Sequence, residues 1–172
     1  QTQDHPQFKT YAEELKWLTT DKVRMKWIAN TIKDIATSGN TLILVDRISA
    51  GEILEKEIDD SVFVSGSTKN TDRKEQYDEV STATNKVIIA TYGVASVGIN
   101  IPRIFNLVLI EPGKSFVRVI QSIGRGIRKA EDKENVQIWD ITSSCKFAKR
   151  HLGARKKFYK EANYPYNIEK VN

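Results

Sequence analysis

Gln121, Arg125 and Arg128 are the residues of this 172-residue chain whose types and spacing carry the most chemistry. They stand in the run Gln121-Ser122-Ile123-Gly124-Arg125-Gly126-Ile127-Arg128. The spacing predicts a helix from Phe116 to Lys129 that places them at i, i+4 and i+7, so that one amide and two guanidinium groups leave a single face. Guanidinium is always charged and forks onto pairs of oxygens. Two such groups on one stripe suit the negative charge that spreads over a phosphoryl group in transfer. For two arginines taken alone, the competing reading is a solvated basic helix face.

A phosphate-directed face implies a phosphate cradle, and two stretches imitate one. Gly113-Lys114-Ser115 lies between a strand and a helix, as the end of a P-loop would. A P-loop needs a first glycine five residues before the second, and that position is Val108, inside the strand. Val136-Gln137-Ile138-Trp139-Asp140 similarly imitates a strand that ends in a magnesium carboxylate. With no P-loop to complete such a site, Asp140 reads as a structural strand-end residue. The expectation is a chain that offers arginines to a nucleotide but neither a phosphate cradle nor a metal site of its own.

The elements that must position these groups alternate. Tyr11 to Leu18 and Lys22 to Thr37 carry apolar residues at helical spacing, Val23, Trp27, Ile28, Ile32 and Ile35 among them, and stop at Ser38-Gly39-Asn40. Thr41 to Asp46 is a short apolar run between turn signals, as in a strand buried on both faces. A helix from about Ser49 to Ile58, a strand at Val62 to Val64 and a charged helix from Thr71 to Ser81 follow. Further strands are expected at Lys86 to Ala90, Asn106 to Ile110 and Val136 to Ile141, with a glycine-bearing loop over Thr91 to Pro102. Strands alternating with helices predict an α/β fold, a parallel sheet wrapped on both faces. From Lys146 to Lys160 there are seven lysines and arginines and no acid, with Phe147, Phe158 and Tyr159 interleaved.

Composition narrows the function classes. At 40% hydrophobic and 28% charged residues the chain is an ordinary globular one, of a length for one domain. A formal charge of +5 and a pI near 9.2 lean toward a polyanionic partner. The single cysteine, Cys145, allows no intrachain disulfide and fits a reducing, cytoplasmic compartment. No window has the roughly 18 consecutive apolar residues of a membrane helix. The chain begins at Gln1 and its only methionine is Met25, which reads as a piece of a longer polypeptide.

In order and over nearly the whole chain, these motifs resemble the second RecA-like domain of superfamily 2 helicases. Gln121 to Arg128 resembles motif VI, in which the two arginines reach ATP bound on the first domain. Thr91 to Pro102 resembles motif V: the resemblance implies that Thr91 donates to a nucleic-acid phosphate and that Asn100 and Gly98 lie at the nucleotide. Many relatives carry Asp where Asn100 stands. Thr41 to Arg47 is similar to motif IV, placing Arg47 near the nucleic-acid backbone. Gly66 and Ser67, with Arg73 beyond, are similar to the segment in which loop amides face a phosphate. A plain turn and a surface arginine is the alternative for that pair.

The resemblance implies a RecA-like domain over residues 21–145, a lead-in from a preceding domain over 1–20, and a basic helical tail over 146–172 packed on the same domain. It also implies ATP and Mg2+, both held mainly by an N-terminal RecA-like domain of the same polypeptide, and nucleic acid as partner. Branched or duplex DNA is the expected form, with RNA, as for DEAD-box helicases, the alternative. Lys156 and Lys157 in the tail are expected to meet phosphates, or else the tail aromatics pack and its lysines face water. Two rivals from other classes stay open: a complete nucleotide-binding module of flavodoxin or receiver type, and a stand-alone basic nucleic-acid-binding module.

Overall fold

The computed structural model describes residues 6–66, 72–76, 79, 85–96, 104–113, 119–120, 136–162 and 164–170. Two helices open the chain, α1 (Tyr11–Thr20) and α2 (Lys22–Ala36). Thr10 caps the first through Glu13, and Asp21 caps the second by accepting from the Arg24 amide at 3.0 Å. There follow β1 (Thr41–Val45), α3 (Ile48–Glu57), β2 (Ser61–Val64), β3 (Val87–Thr91), the short α4 (Tyr92–Ser96), β4 (Asn106–Ile110), β5 (Gln137–Ile141) and α5 (Lys146–Glu161). Residues 72–76 are also helical.

The five strands form one sheet in the order β2-β3-β1-β4-β5, and every neighbouring pair is parallel. A parallel sheet with covered faces needs strands that are apolar throughout. β1 and β4, both buried at every position, supply the centre. Alternation divides the side chains between two layers. Ile43, Val45, Val87, Ile89, Val108 and Ile110 meet α2 and α3 through Met25, Ile28, Ile32, Ala50 and Leu54. Leu42, Leu44, Ile88, Ala90, Leu107 and Leu109 meet Val94 and Ala95 of α4, Val119, Ile120 and Tyr159 of α5. This is the expected α/β, RecA-like arrangement, a parallel sheet with helices on both faces.

At the amino end of the sheet, buried Asn106 donates to the Ile35 carbonyl at 3.2 Å and to Ser38 Oγ at 2.9 Å, and accepts from Trp139 Nε1 at 3.3 Å. Asn40 accepts from the Lys86 amide at 2.8 Å. These bonds fix where the strands begin relative to one another, and hence where their carboxyl ends stand.

Two details depart from the sequence expectation. Val23 is 67% exposed, while its neighbours Arg24 and Met25 are each 1% exposed. The core stripe of α2 therefore begins at Arg24 and Met25, and continues through Ile28, Ile32 and Ile35 as expected. The expected loop after β3 begins as a helix over Tyr92–Ser96, because Thr91 Oγ1 accepts from the Val94 amide at 3.2 Å and starts a helical turn despite Gly93.

Candidate functional site

In an open parallel sheet, ligands bind outside the carboxyl ends of the strands, where neighbouring connections leave in opposite directions. Here the chain leaves β1 toward the β2 edge and β4 toward the β5 edge, so the crevice lies between the ends of β1 and β4. At this end of the sheet, side chains next to β4 and on β5 pair with side chains of α2 and α5. Glu111, in the left-handed region at φ 47°, turns its carboxylate back onto Arg24 of α2 and accepts from Thr142 Oγ1 at 3.3 Å. Arg155 of α5 forks onto Asp140 through Nε (2.7 Å) and Nη2 (2.9 Å) and gives Nη1 to the Pro112 carbonyl at 2.6 Å. Tyr159 adds its hydroxyl to the same carboxylate at 2.7 Å. Tyr92 donates to the Ile110 carbonyl at 3.0 Å, and a Cβ at Gly113 would stand 3.3 Å from the Tyr11 hydroxyl.

Burial sets the electrostatics of this end. It pushes the Glu111 carboxyl above its ordinary range, against the opposite pull of Arg24 and Arg155. It likewise raises Tyr92 and Tyr159, with the negative charge of Asp140 adding to the effect. Both oxygens of Asp140 are committed to Arg155 and Tyr159, so this carboxylate fastens α5 to the sheet, in line with its reading as a structural strand-end residue. Among the described residues, no three His, Cys, Asp or Glu side chains are grouped as for a metal ion.

The carboxyl ends toward the β2 edge carry three of the residues expected at the nucleic acid. Val45 pairs with Thr91 and Val64 with Ala90, so Arg47, Thr91 and Gly66 close three adjacent strands, a row about 10 Å across at the usual strand spacing. Arg47 is the half-buried N-cap residue of α3 and makes no side-chain cap bond. Thr91 accepts from Val94 and keeps its hydroxyl proton to donate. A Cβ built on Gly66 meets nothing within 4 Å. Arg73, half-buried, donates Nη2 to the carbonyls of Ser65 (3.0 Å) and Gly66 (3.1 Å). It thus ties the loop down, where the sequence alternative had a plain surface arginine.

The tail stands apart from this row, beyond β4 and β5. Its helix begins at a cap borrowed from the other end of the chain. Buried Glu14 of α1 accepts from the amides of Phe147 (2.9 Å) and Ala148 (2.7 Å), and the Tyr11 ring lies edge-on against His151 at 4.7 Å. Of the two expected phosphate contacts, Lys157 is exposed and Lys156 half-buried. Gly98, Asn100, Ser67, Gln121, Arg125 and Arg128 lie outside the described residues. Immediately before Gln121, Val119 and Ile120 are helical and buried in the core.

The fastening set Arg24, Glu111, Asp140, Arg155 and Tyr159 was largely missed by sequence reasoning. Arg155 sits in a cationic run and looks like its neighbours. From the sequence, Asp140 reads as a structural strand-end residue and Tyr159 as a tail aromatic that could pack, while Arg24, Glu111 and Arg155 are not singled out.

Residues 23–130 match the family model described as helicase conserved C-terminal domain. The chain belongs to that family. It is a superfamily 2 helicase C-terminal domain, and its architecture matches those of solved relatives. It is 32% identical over 161 residues to the ATP-dependent DNA helicase uvsW of Enterobacteria phage T4, covering 91% of this chain and 32% of the relative. The crystal structure of T4 UvsW superposes with a TM-score of 0.83 at 27% identity, over 95% of this helicase domain and 37% of that chain. The domain therefore spans about a third of the UvsW chain. Dbp5 of S. cerevisiae, solved bound to RNA and ADP BeF3, shares the fold at a TM-score of 0.57 and 20% identity, over 78% of this chain and 36% of that one.

Proposed function

We propose that this domain is the second motor half of an ATP-dependent DNA helicase that unwinds or branch-migrates DNA in recombination, repair and replication. The likeness to the phage T4 DNA helicase over 91% of the chain carries this reading. The family match at residues 23–130 contains both the Thr91 to Pro102 segment and the Gln121 to Arg128 segment. In this reading Arg125 and Arg128 reach the phosphates of ATP, and Gln121, Gly98 and Asn100 meet the rest of the nucleotide. Arg47, Gly66, Ser67 and Thr91 hold the DNA backbone. ATP and Mg2+ are bound mainly by the N-terminal RecA-like domain of the same polypeptide, in the cytoplasm of the host cell.

The buried ion pairs at the carboxyl ends, Arg24 with Glu111 after β4 and Arg155 with Asp140 on β5, support a half-motor over a complete nucleotide-binding module. At the carboxyl end of the sheet, where such a module would seat its ligand, Arg24, Glu111 and Arg155 are engaged with other groups of the protein. DNA is favoured over RNA because the relative with the greater identity is a DNA helicase, while the likeness to Dbp5 is one of fold alone.

In the protein that joins this domain to its P-loop partner, Arg125→Ala and Arg128→Ala test the reading. Arginine fingers contribute roughly 10³ to 10⁵ in turnover, so at least one variant loses about 100-fold or more of its ATPase while staying folded. Near-normal turnover in both would return the face to a solvated basic helix.

A further inference from the structure

The solvent face of α5 carries Lys146, Lys149, Arg150, Lys157 and Lys160, all exposed, with exposed Gly153 and Ala154 between the two clusters. The spacing i, i+3, i+4, i+7, i+8, i+11, i+14 makes this one continuous stripe. Among the described residues none of the five has a carboxylate partner, and the one acid on the helix is Glu161 at its end.

Nothing in the folding of α5 asks for this arrangement. Lys146 and Arg150 are like charges at i, i+4, and Lys157 and Lys160 at i, i+3, which disfavours the helix. Three of the five cations stand in its first turns, where the helix dipole is positive. The amides there are already taken by Glu14, so an anion is met by side chains alone. The Phe147 ring holds two of them in place, with Lys146 Nζ at 5.4 Å and Arg150 Cζ at 5.7 Å from its centroid.

We propose that this stripe is a track for duplex DNA, separate from the row of Arg47, Gly66 and Thr91. The proposal rests on the DNA-helicase reading above and adds a second contact surface and the form of DNA it takes. At 1.5 Å rise per residue the two cationic clusters are centred about 15 Å apart, comparable with the roughly 12 Å width of the major groove once side-chain reach is allowed. Each cluster meets one backbone, and the small Gly153-Ala154 step, with nothing within 4 Å of a Cβ at Gly153, passes over the groove.

Single strands are bound through exposed rings on which bases stack. In α5, Tyr159 is buried and Phe147 and Phe158 are half-buried. A membrane surface would need the apolar face of the helix, and that face is spent on the core through Ala148 and Tyr159.

The test is fluorescence anisotropy of a short labelled duplex, and of the matching single strand, between about 50 and 200 mM salt. It uses the helicase that carries this domain. Lys146→Gln/Lys149→Gln/Arg150→Gln and Lys157→Gln/Lys160→Gln each lower the slope of log K against log salt for duplex, by up to about 0.9 per lost contact. The matching Lys→Arg exchanges keep the slope, and thermal melting verifies that every variant is folded. An unchanged duplex slope in folded Gln variants overturns the proposal. So does an equal loss on single strands, or a loss confined to anionic phosphatidylserine vesicles. DNA-stimulated ATP turnover of the unmutated protein reports on the motor reading independently: its absence beside an intact stripe effect refutes the motor and leaves the track.

Discussion

Arg155→Met removes a guanidinium that is 1% exposed and makes three hydrogen bonds, two to Asp140 and one to the Pro112 carbonyl. Methionine fills much of the space but restores none of the bonds, leaving the Asp140 carboxylate with the Tyr159 hydroxyl alone among the bonds described. Removing one member of a buried pair costs about 3 to 5 kcal/mol. The Asp140 side chain is 14% exposed and regains some water, which places the expectation near the lower end, at about 3 kcal/mol. For a domain of this size that is a fall in Tm of about 6 to 12 °C. Asp140→Leu combined with Arg155→Met removes both charges and costs less than the sum of the two single changes, by about 2 kcal/mol. Urea titrations followed by far-UV circular dichroism measure all three variants. Additive losses, or a loss below about 1 kcal/mol for Arg155→Met, would refute the claim that this pair fastens α5 to the sheet.

Glu14→Ala uncaps α5 and costs about 1 kcal/mol, with faster amide exchange at Phe147 and Ala148, whereas Glu14→Gln retains part of the cap. Unchanged exchange at both amides would remove Glu14 from this role. Tyr92 and Tyr159 ionise in the native state well above the unfolded value of about 10. The folded state then holds protons that the unfolded state gives up. Stability from these groups is complete below about pH 10 and is lost as the pH rises beyond it. Tyr159→Phe flattens that alkaline decline, measured by chemical denaturation across the range, and an undiminished decline would contradict the assignment.

The sheet was legible because its central strands need no partner information. Asn106 to Ile110 is an apolar run between turn signals, and β4 occupies the same five residues. Helical periodicity found α2 but put Val23 in the core, since side-chain type says nothing of the phase that tertiary packing selects. Arg24, one residue on, is buried because Glu111, distant in sequence, neutralises it. Arg155 was hidden for the same reason: a lysine-rich tail gives no sign that one of its cations meets Asp140 and Pro112. At the candidate site, Arg47, Gly66 and Thr91 were chosen by motif order, and parallel register brings all three to one end of adjacent strands. Arg73 was named with the Gly66 segment, but its hold on the Ser65 and Gly66 carbonyls was not legible, because backbone carbonyls carry no sequence signature.

The central claim, a motor half that turns over ATP only when joined to a P-loop domain, is tested most directly by one measurement. ATP turnover is compared, with and without DNA, for this domain alone and for the polypeptide that joins it to the preceding domain. The account predicts turnover no faster than a buffer blank for the domain alone and DNA-stimulated turnover for the joined protein, because the Gly113-Lys114-Ser115 spacing is not that of a P-loop and Asp140 is committed to Arg155 and Tyr159. Turnover by the pure domain that survives replacement of Arg125 and Arg128 would contradict it.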